Sequence, residues 1–125
     1  MDSRIEVVVD AIERDFSDCK LNSETLAELV NLSSSRLHHL FKAEIGQAPM
    51  TFVNCRRMRE AELLLTTTFL SVKEVRYRAG FCNYGHFMHG FKREHGMTPG
   101  KYRAMARIER FSHTASFSIA ESDTK

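Results

Sequence analysis

The amino-acid sequence predicts an all-α protein with seven helices, and three observations support this class. Apolar residues recur every three or four positions, which is the spacing of one face of an α-helix. The periodic segments begin after Ser, Asn or Asp and end at Gly or before Pro, as helices commonly do. No alternating run of apolar and polar residues with flanking turn signals predicts a strand.

The first two helices follow from apolar spacing and capping residues. Asp2 or Ser3 can cap the first helix, and Asn22 or Ser23 can cap the second, because their side chains can accept a hydrogen bond from a free backbone amide. The apolar faces consist of Ile5, Val8, Val9, Ile12 and Phe16 in the first helix and Leu26, Leu29 and Val30 in the second.

The third and fourth helices are bounded by Ser, Gly, Pro and Thr. The serine run 33–35 can cap the third helix, and Gly46 ends it, as Gly often does in the left-handed conformation. Pro49 suits the first turn of a long fourth helix. That helix is predicted to end at threonines 66–68, which are poor residues for a helix interior.

The last three helices have similar residues at their boundaries. Ser71 can cap the fifth helix, and Gly80 begins the turn that follows it. The sixth helix ends at Gly96, and the Thr98–Pro99 pair begins the seventh.

One stretch of the sequence occurs twice. Residues 36–53 align with residues 86–103 at an offset of 50 positions, and each copy follows a short amphipathic helix. A short helix, a tight turn and a longer helix form a helix-turn-helix unit, so the chain is predicted to contain two such units. The identical pairs are His39/His89, Phe41/Phe91, Lys42/Lys92, Glu44/Glu94, Gly46/Gly96 and Pro49/Pro99.

This repeat predicts the domain organisation. The first helix-turn-helix subdomain covers residues 1–48, and the second covers residues 68–110. The long helix, residues 49–67, joins them. Residues 111–125 are small and polar without a sustained period, so we expect a disordered polar tail there.

The longer helix of each unit has an apolar side and a polar side, at about 100° of rotation per residue. We expect the apolar side to pack into the interior and the other side to present hydrogen-bond donors to solvent. The packing residues are Leu37, Leu40, Phe41 and Ile45 in the first copy and Tyr84, Phe87, Met88, Phe91 and His95 in the second. The outward residues are Ser35, Arg36, His39 and Lys42 in the first copy and Gly85, His86, His89, Lys92 and Arg93 in the second.

The net charge of +2 conceals an asymmetry along the chain. Residues 1–33 contain 3 basic and 8 acidic side chains, whereas residues 34–107 contain 13 basic and 5 acidic ones. A basic central region is typical of proteins that bind nucleic acid. No apolar run is long enough to span a membrane, and the N-terminus lacks the basic start of a signal peptide. We therefore expect a cytoplasmic protein without a membrane partner.

The residues around the sixth helix give less support to a metal site, a catalytic site or a redox-reactive thiol. Cys82, His86 and His89 share a rough face that could bind zinc, but a fourth ligand is missing and Arg93 would lie beside the cation. No acid is paired with the outward histidines and no Gly-rich phosphate loop is present, so we expect no enzyme, metal or cofactor. The three cysteines are odd in number and far apart, which favours reduced thiols; Cys82 is the only candidate for a redox-reactive one.

Two stretches resemble the AraC/XylS family of bacterial transcription regulators. They are LAELVNLSSSRLHHLFKAEIG (26–46) and RAGFCNYGHFMHGFKREHGMTPGKYR (78–103), and the likeness covers roughly residues 4–107. The second stretch contains A-G-F, then F, then F-K, then G-x-T-P-x-x-Y-R. The resemblance implies two subdomains whose second helices enter successive major-groove segments on one face of DNA, at an asymmetric site.

The resemblance also implies which residues contact DNA. Ser35 and Gly85 offer little or no side chain, so His39 and His89 are expected to make more of the direct base contacts. The positions that match base contacts are Ser35, His38 and His39 in the first recognition helix and Tyr84, Gly85, His86, Met88 and His89 in the second. The candidates for phosphate contacts are Arg36, Lys42, Lys92, Arg93 and Lys101.

Six further basic residues have less defined roles. Those on the linking helix either face DNA or are solvated, and those on the fifth helix are expected to be solvated. They are Arg56, Arg57 and Arg59 on the linking helix and Lys73, Arg76 and Arg78 on the fifth helix.

These inferences lead us to expect a sequence-specific DNA-binding transcription regulator, an activator that contacts RNA polymerase at the bacterial nucleoid. We expect a monomeric domain, dimeric only if it is part of a longer chain. Family members usually add an effector or dimerisation domain, so the chain is either of a short stand-alone type or an excised C-terminal domain. One alternative is a helix-turn-helix protein-interaction module without specific DNA readout, and another is a metal- or thiol-based sensor.

Overall fold

The computed structural model describes residues 1–110, in which every regular element is an α-helix. The predicted class of seven helices in two helix-turn-helix units is confirmed, and the predicted disordered tail at residues 111–125 lies outside the described residues. Within the described part, no helix combines the length and apolar character needed to cross a membrane. The helices are α1 (Ser3–Asp15), α2 (Ser23–Leu29), α3 (Ser34–Ile45), α4 (Pro49–Thr67), α5 (Val72–Ala79), α6 (Tyr84–His95) and α7 (residues 99–110).

Side-chain caps determine where five of these helices begin. Asp2, rather than Ser3, caps α1, and Asn22, rather than Ser23, caps α2 in a reciprocal capping box. Ser33 and Ser71 cap α3 and α5, each accepting a hydrogen bond of 3.1 Å from the amide three residues on. Asn83 caps α6 in the same way at 2.9 Å. This last cap was not predicted, so sequence analysis missed the residue that starts the second recognition helix.

Replacing Ser33 with alanine is expected to lower the free energy of unfolding by about 1 kcal/mol, because one amide at the start of α3 loses its acceptor. Chemical denaturation of the full chain measures this difference. Ser35→Ala is the matched control, since Ser35 is exposed in the first turn of the same helix and should change stability by less than about 0.5 kcal/mol. Equal losses in the two variants would contradict the capping role.

The apolar side chains form two cores, one beneath each helix-turn-helix unit. The first core lies among α1, α2, α3 and the start of α4, and the second among the rest of α4, α5 and α6. Helix α4 contributes Val53 to the first core and Ala61 and Leu65 to the second. A single helix of 19 residues therefore belongs to both cores and connects the two units without a loop.

Helix α7 closes the second core. The ring of Tyr102 packs edge-on against Phe91, with 5.3 Å between centroids. The Nε of Arg103 donates a hydrogen bond of 3.0 Å to the carbonyl of Leu65 near the C-terminus of α4, where carbonyls lack partners within the helix. Burial lowers the pKa of Arg103, and the nearby Arg107 acts in the same direction. The last helix is thus attached to both α4 and α6.

Arg57 connects the two units from the middle of α4. Its side chain is buried, and its Nε donates to the carbonyl of Phe16 at 2.7 Å while Nη2 donates to the carbonyl of Asp18 at 3.0 Å. Burial lowers the pKa of this guanidinium. The sequence left Arg57 as either facing DNA or solvated, and both interpretations are wrong, because the residue ties α4 to the loop after α1.

Gly80 completes this connection from the second unit. It ends α5 in the left-handed conformation at φ 101°, and its Cα lies against the end of α1. A Cβ at this position would overlap the carbonyl oxygen of Phe16 and approach the Cα of Ser17 to 2.8 Å. We call the contact region formed by Phe16, Ser17, Asp18, Arg57 and Gly80 the joint. It sets the orientation of one unit relative to the other.

Candidate nucleic-acid interface

The polar side of α3 forms the first half of the candidate interface. Leu37 and Phe41 are fully buried in the first core and thereby fix the rotation of α3 about its axis. Ser35, His38 and His39 are exposed, and the two imidazole rings meet edge to face with 5.7 Å between centroids. Each imidazole can donate or accept a hydrogen bond, depending on its tautomer. The helix therefore presents two hydrogen-bonding rings and one hydroxyl to solvent.

Helix α6 forms the second half in the same manner. Phe87 and Phe91 are fully buried, with ring centroids 5.9 Å apart, and they occupy the positions that Leu37 and Phe41 occupy in α3. On the opposite side, Gly85, His86 and His89 are exposed. The predicted division of both helices into an inner and an outer side is confirmed for these residues.

Two predicted base-contact residues on α6, which were also predicted to pack, differ in their exposure. Met88 is half-buried and packs against the second core, so only part of its side chain is available outside. Tyr84, which was also predicted to pack, is 39% exposed at the first position of the helix. The outer surface of α6 therefore has a phenol at its start, a bare backbone segment at Gly85 and imidazoles beyond it.

The five predicted phosphate-contact residues all lie on the surface. Lys42 and Lys92 occupy equivalent places in the last turn of α3 and α6, where a cation also interacts favourably with the helix dipole. A groove between α4 and α6 is lined in part by Arg93, His86 and Asn54. The exposed basic set is Arg36, Lys42, Lys92, Arg93 and Lys101.

Other basic side chains are engaged within the protein. The Nε of Arg56 contacts a carboxylate oxygen of Glu13 at 2.8 Å, and its guanidinium covers the Phe16 ring at 4.5 Å. Arg76 was expected to be solvated, but its Nη1 donates to the carbonyls of Phe81 and Cys82 at 2.8 and 3.2 Å. Arg76 therefore holds the turn that leads into α6. Arg59, Lys73 and Arg78 are exposed, and Arg78 forms an ion pair with Glu74 one turn away.

The side chains that lie close enough together to bind a metal are not the ones that the sequence suggested. Within residues 1–110, the one group of three or more ligand side chains whose donor atoms lie within 4.8 Å of one another is Glu62, Glu94 and His95. Cys82, His86 and His89 do not converge in this way. The Nε2 of His95 lies 2.9 Å from a carboxylate oxygen of Glu62, which accepts the hydrogen bond, and the imidazole packs on the ring of Phe91 with 4.2 Å between centroids. His95 is therefore a packing residue at the second core.

Two helix-turn-helix units, each with a buried inner side and a polar, basic outer side on its second helix, define a protein of the helix-turn-helix DNA-binding class. The helix-turn-helix domain family matches residues 26–105. The chain belongs to the AraC family of helix-turn-helix transcription regulators, as the resemblance implied.

Known relatives support this assignment. The chain is 35% identical over 99 residues to the HTH-type transcriptional regulator MtrA of Neisseria gonorrhoeae, covering 79% of this chain and 31% of that protein. It is 33% identical over 104 residues to the arabinose operon regulatory protein of Salmonella typhimurium, covering 83% and 37% respectively. The chain thus spans about a third of the length of these curated relatives.

A solved structure shows the same fold. The DNA-binding domain of AdpA, the global transcriptional factor, was crystallised in complex with a target DNA. It matches this chain with a TM-score of 0.78 and 33% identity, covering 88% of this chain and 97% of that one.

Proposed function

We propose that this chain binds a specific, asymmetric DNA site through α3 and α6, which enter successive major-groove segments, and thereby regulates transcription. The observation that carries the proposal is the outward, polar and basic side of both helices, each fixed by two fully buried side chains beneath it. The solved complex of the AdpA domain with a target DNA supports it. A major groove admits an α-helix and offers a different pattern of donors and acceptors for each base pair.

Base contacts and phosphate contacts have separate roles in this proposal. His39 and His89, at equivalent positions of the repeat, contact base edges, assisted by their exposed neighbours on the same helices. Lys42 and Lys92 contact phosphates, which anchor the protein without selecting a sequence. Arg93, which lines the groove between α4 and α6, contacts a further phosphate.

The cellular role follows the family. The protein acts at the bacterial nucleoid in the cytoplasm, as an activator that contacts RNA polymerase, and a monomer suffices because one chain contains both recognition helices. The name of one relative, the HTH-type transcriptional activator RhaS of Escherichia coli, supports the activator part of this role.

Selection from a pool of random duplexes at about 150 mM salt, followed by sequencing, tests the proposed function. We expect enrichment of an asymmetric site with two short motifs separated by about one helical turn, or ~34 Å. A single enriched motif would contradict the role of one of the two helices. Binding without enrichment, lost steeply as salt rises, would leave only nonspecific phosphate binding and would favour a helix-turn-helix module that binds protein.

Replacing His89 or Lys92 with alanine should affect DNA binding in different ways. His89→Ala is expected to cost about 1–3 kcal/mol on the selected site and to relax the preference at one base pair, because a base contact is lost. Lys92→Ala should weaken binding to all duplexes similarly and reduce the slope of log K against log salt by about 1, because one phosphate contact is lost. Salt titrations of both variants on matched and mismatched duplexes measure the two patterns. Identical patterns in both variants would contradict the division of roles.

A further inference from the structure

Two cysteines from different units meet beside the joint. Cys19 lies in the loop after α1, and Cys82 lies in the turn between α5 and α6, 63 positions later. The Sγ of Cys82 lies 2.8 Å from the backbone carbonyl oxygen of Cys19. The sequence indicated only that the three cysteines were far apart, and this long-range contact shows that two of them are neighbours.

The surroundings of this pair are open to solvent and positively charged. Both cysteines are exposed free thiols and line one groove, together with Lys20, Arg76 and Arg78. The guanidinium of Arg57 interacts electrostatically with both thiols. A small oxidant can reach the pair because both thiols are exposed.

We propose that Cys19 and Cys82 form a reversible disulfide that locks the joint between the two helix-turn-helix units. The oxidant is hydrogen peroxide. One thiolate attacks the peroxide oxygen and becomes a sulfenic acid as the O–O bond breaks, and the released oxygen leaves as water after it takes up a proton. The second thiol then attacks the sulfenic sulfur, which forms the S–S bond and releases a second water. Two thiols are thus oxidised by one peroxide, and low-molecular-weight thiols reverse the reaction by exchange.

The surroundings of Cys82 act on its thiol in opposite directions. Hydrogen bonding with Cys19 and partial desolvation raise the pKa of Cys82, and Arg57 and Arg76 oppose this. Either thiol can attack the peroxide, and the other then resolves the sulfenic acid.

The disulfide would change how the two units move relative to each other. Cys82 directly precedes Asn83, the cap of α6, so the bond ties the start of the second recognition helix to the first unit. Under the proposed function, the oxidised protein should tolerate only one spacing between the two half-sites. This consequence rests on the proposed function, whereas formation of the bond does not.

Treatment of the full chain with hydrogen peroxide, followed by intact mass measurement and peptide mapping, tests for the bond. We expect the loss of two hydrogens, a linked peptide pair containing Cys19 and Cys82, and a rise in melting temperature of about 5–15 °C that a dithiol reductant reverses. Cys55→Ser is the matched control and should form the bond as the wild type does, because Cys55 is exposed elsewhere on α4. Cys19→Ser and Cys82→Ser should not form it. A linked pair that contains Cys55, or sulfinic acids as the main product, would overturn the proposal.

DNA binding by the oxidised and reduced protein then tests whether the disulfide restricts motion between the two units. Two duplexes are compared, one with the selected site and one with an extra base pair between the half-sites, which moves the second half-site by about 3.4 Å and ~34°. Oxidation should change the affinity for the first duplex by less than about twofold. For the second duplex, the loss of affinity on oxidation should be at least about tenfold larger than for the first. Equal changes in affinity for both duplexes on oxidation would show that the disulfide does not restrict the spacing of the half-sites. If the reduced protein prefers neither duplex over random DNA, the proposed function fails, while the peptide map still decides whether the bond forms.

Discussion

Gly80→Ala is expected to lower the free energy of unfolding by about 3–5 kcal/mol. About 1–2 kcal/mol comes from placing a Cβ on a residue with φ 101°, because the left-handed conformation is strained for any residue with a side chain. The remaining cost of about 2–3 kcal/mol comes from the overlap with the carbonyl of Phe16 and the backbone of Ser17, which are main-chain atoms that cannot rotate away.

Two other glycines provide matched controls for this substitution. Gly46 and Gly96 end α3 and α6 at φ 92° and 71°, and a Cβ at either position would meet nothing within 4 Å. Gly46→Ala and Gly96→Ala should therefore cost only the conformational part, about 1–2 kcal/mol. Urea denaturation of the three variants separates the two contributions. If Gly80→Ala costs no more than the controls, the two units are not in direct contact at the joint.

Arg57→Met is expected to cost about 2–4 kcal/mol, although it replaces a buried charged residue with an apolar one. The reason is that the carbonyls of Phe16 and Asp18 lose their donor while they remain at a partly buried contact. The control is Arg59→Met, two residues away on the same helix and exposed, which should change stability by less than about 0.5 kcal/mol.

A second measurement distinguishes loss of the joint from general destabilisation. With the joint weakened, Arg57→Met should lose affinity for a two-part DNA site while it keeps its affinity for a single half-site, measured well below its melting temperature. Equal loss on both duplexes would mean that Arg57 only stabilises the fold. Wild-type stability in the variant would mean that water satisfies both carbonyls.

The sequence predicted the features that depend on neighbouring residues. The starts of α3, α4 and α5 and the ends of α3 and α6 follow from single residues such as Ser33, Pro49, Ser71, Gly46 and Gly96, whose effect on the backbone is local. The buried pairs beneath the recognition helices follow from helical spacing in the same way. Local chemistry and periodicity determine these features, so a single sequence suffices to infer them.

The features that sequence analysis missed depend on residues distant in the chain. Arg57 is one of three arginines within four positions, and nothing nearby distinguishes it from Arg56 or Arg59 before the loop after α1 is placed beside it. The contact of Cys19 with Cys82 and the pairing of His95 with Glu62 have the same origin, since their partners lie 63 and 33 positions away. Asn83 differs, because an Asn three residues before His86 was a detectable capping signal.

The separation of each recognition surface from its core has a consequence for evolution. His39 and His89 are exposed, and the residues that fix their helices, Phe41 and Phe91, lie on the opposite side. Substitutions at the outer positions therefore cost little stability, so they are open to change in a lineage. While one half of the molecule retains an old contact, the other half can acquire a new one. A duplicated unit of this kind allows target preference to drift in small steps without a stage at which the protein fails to fold.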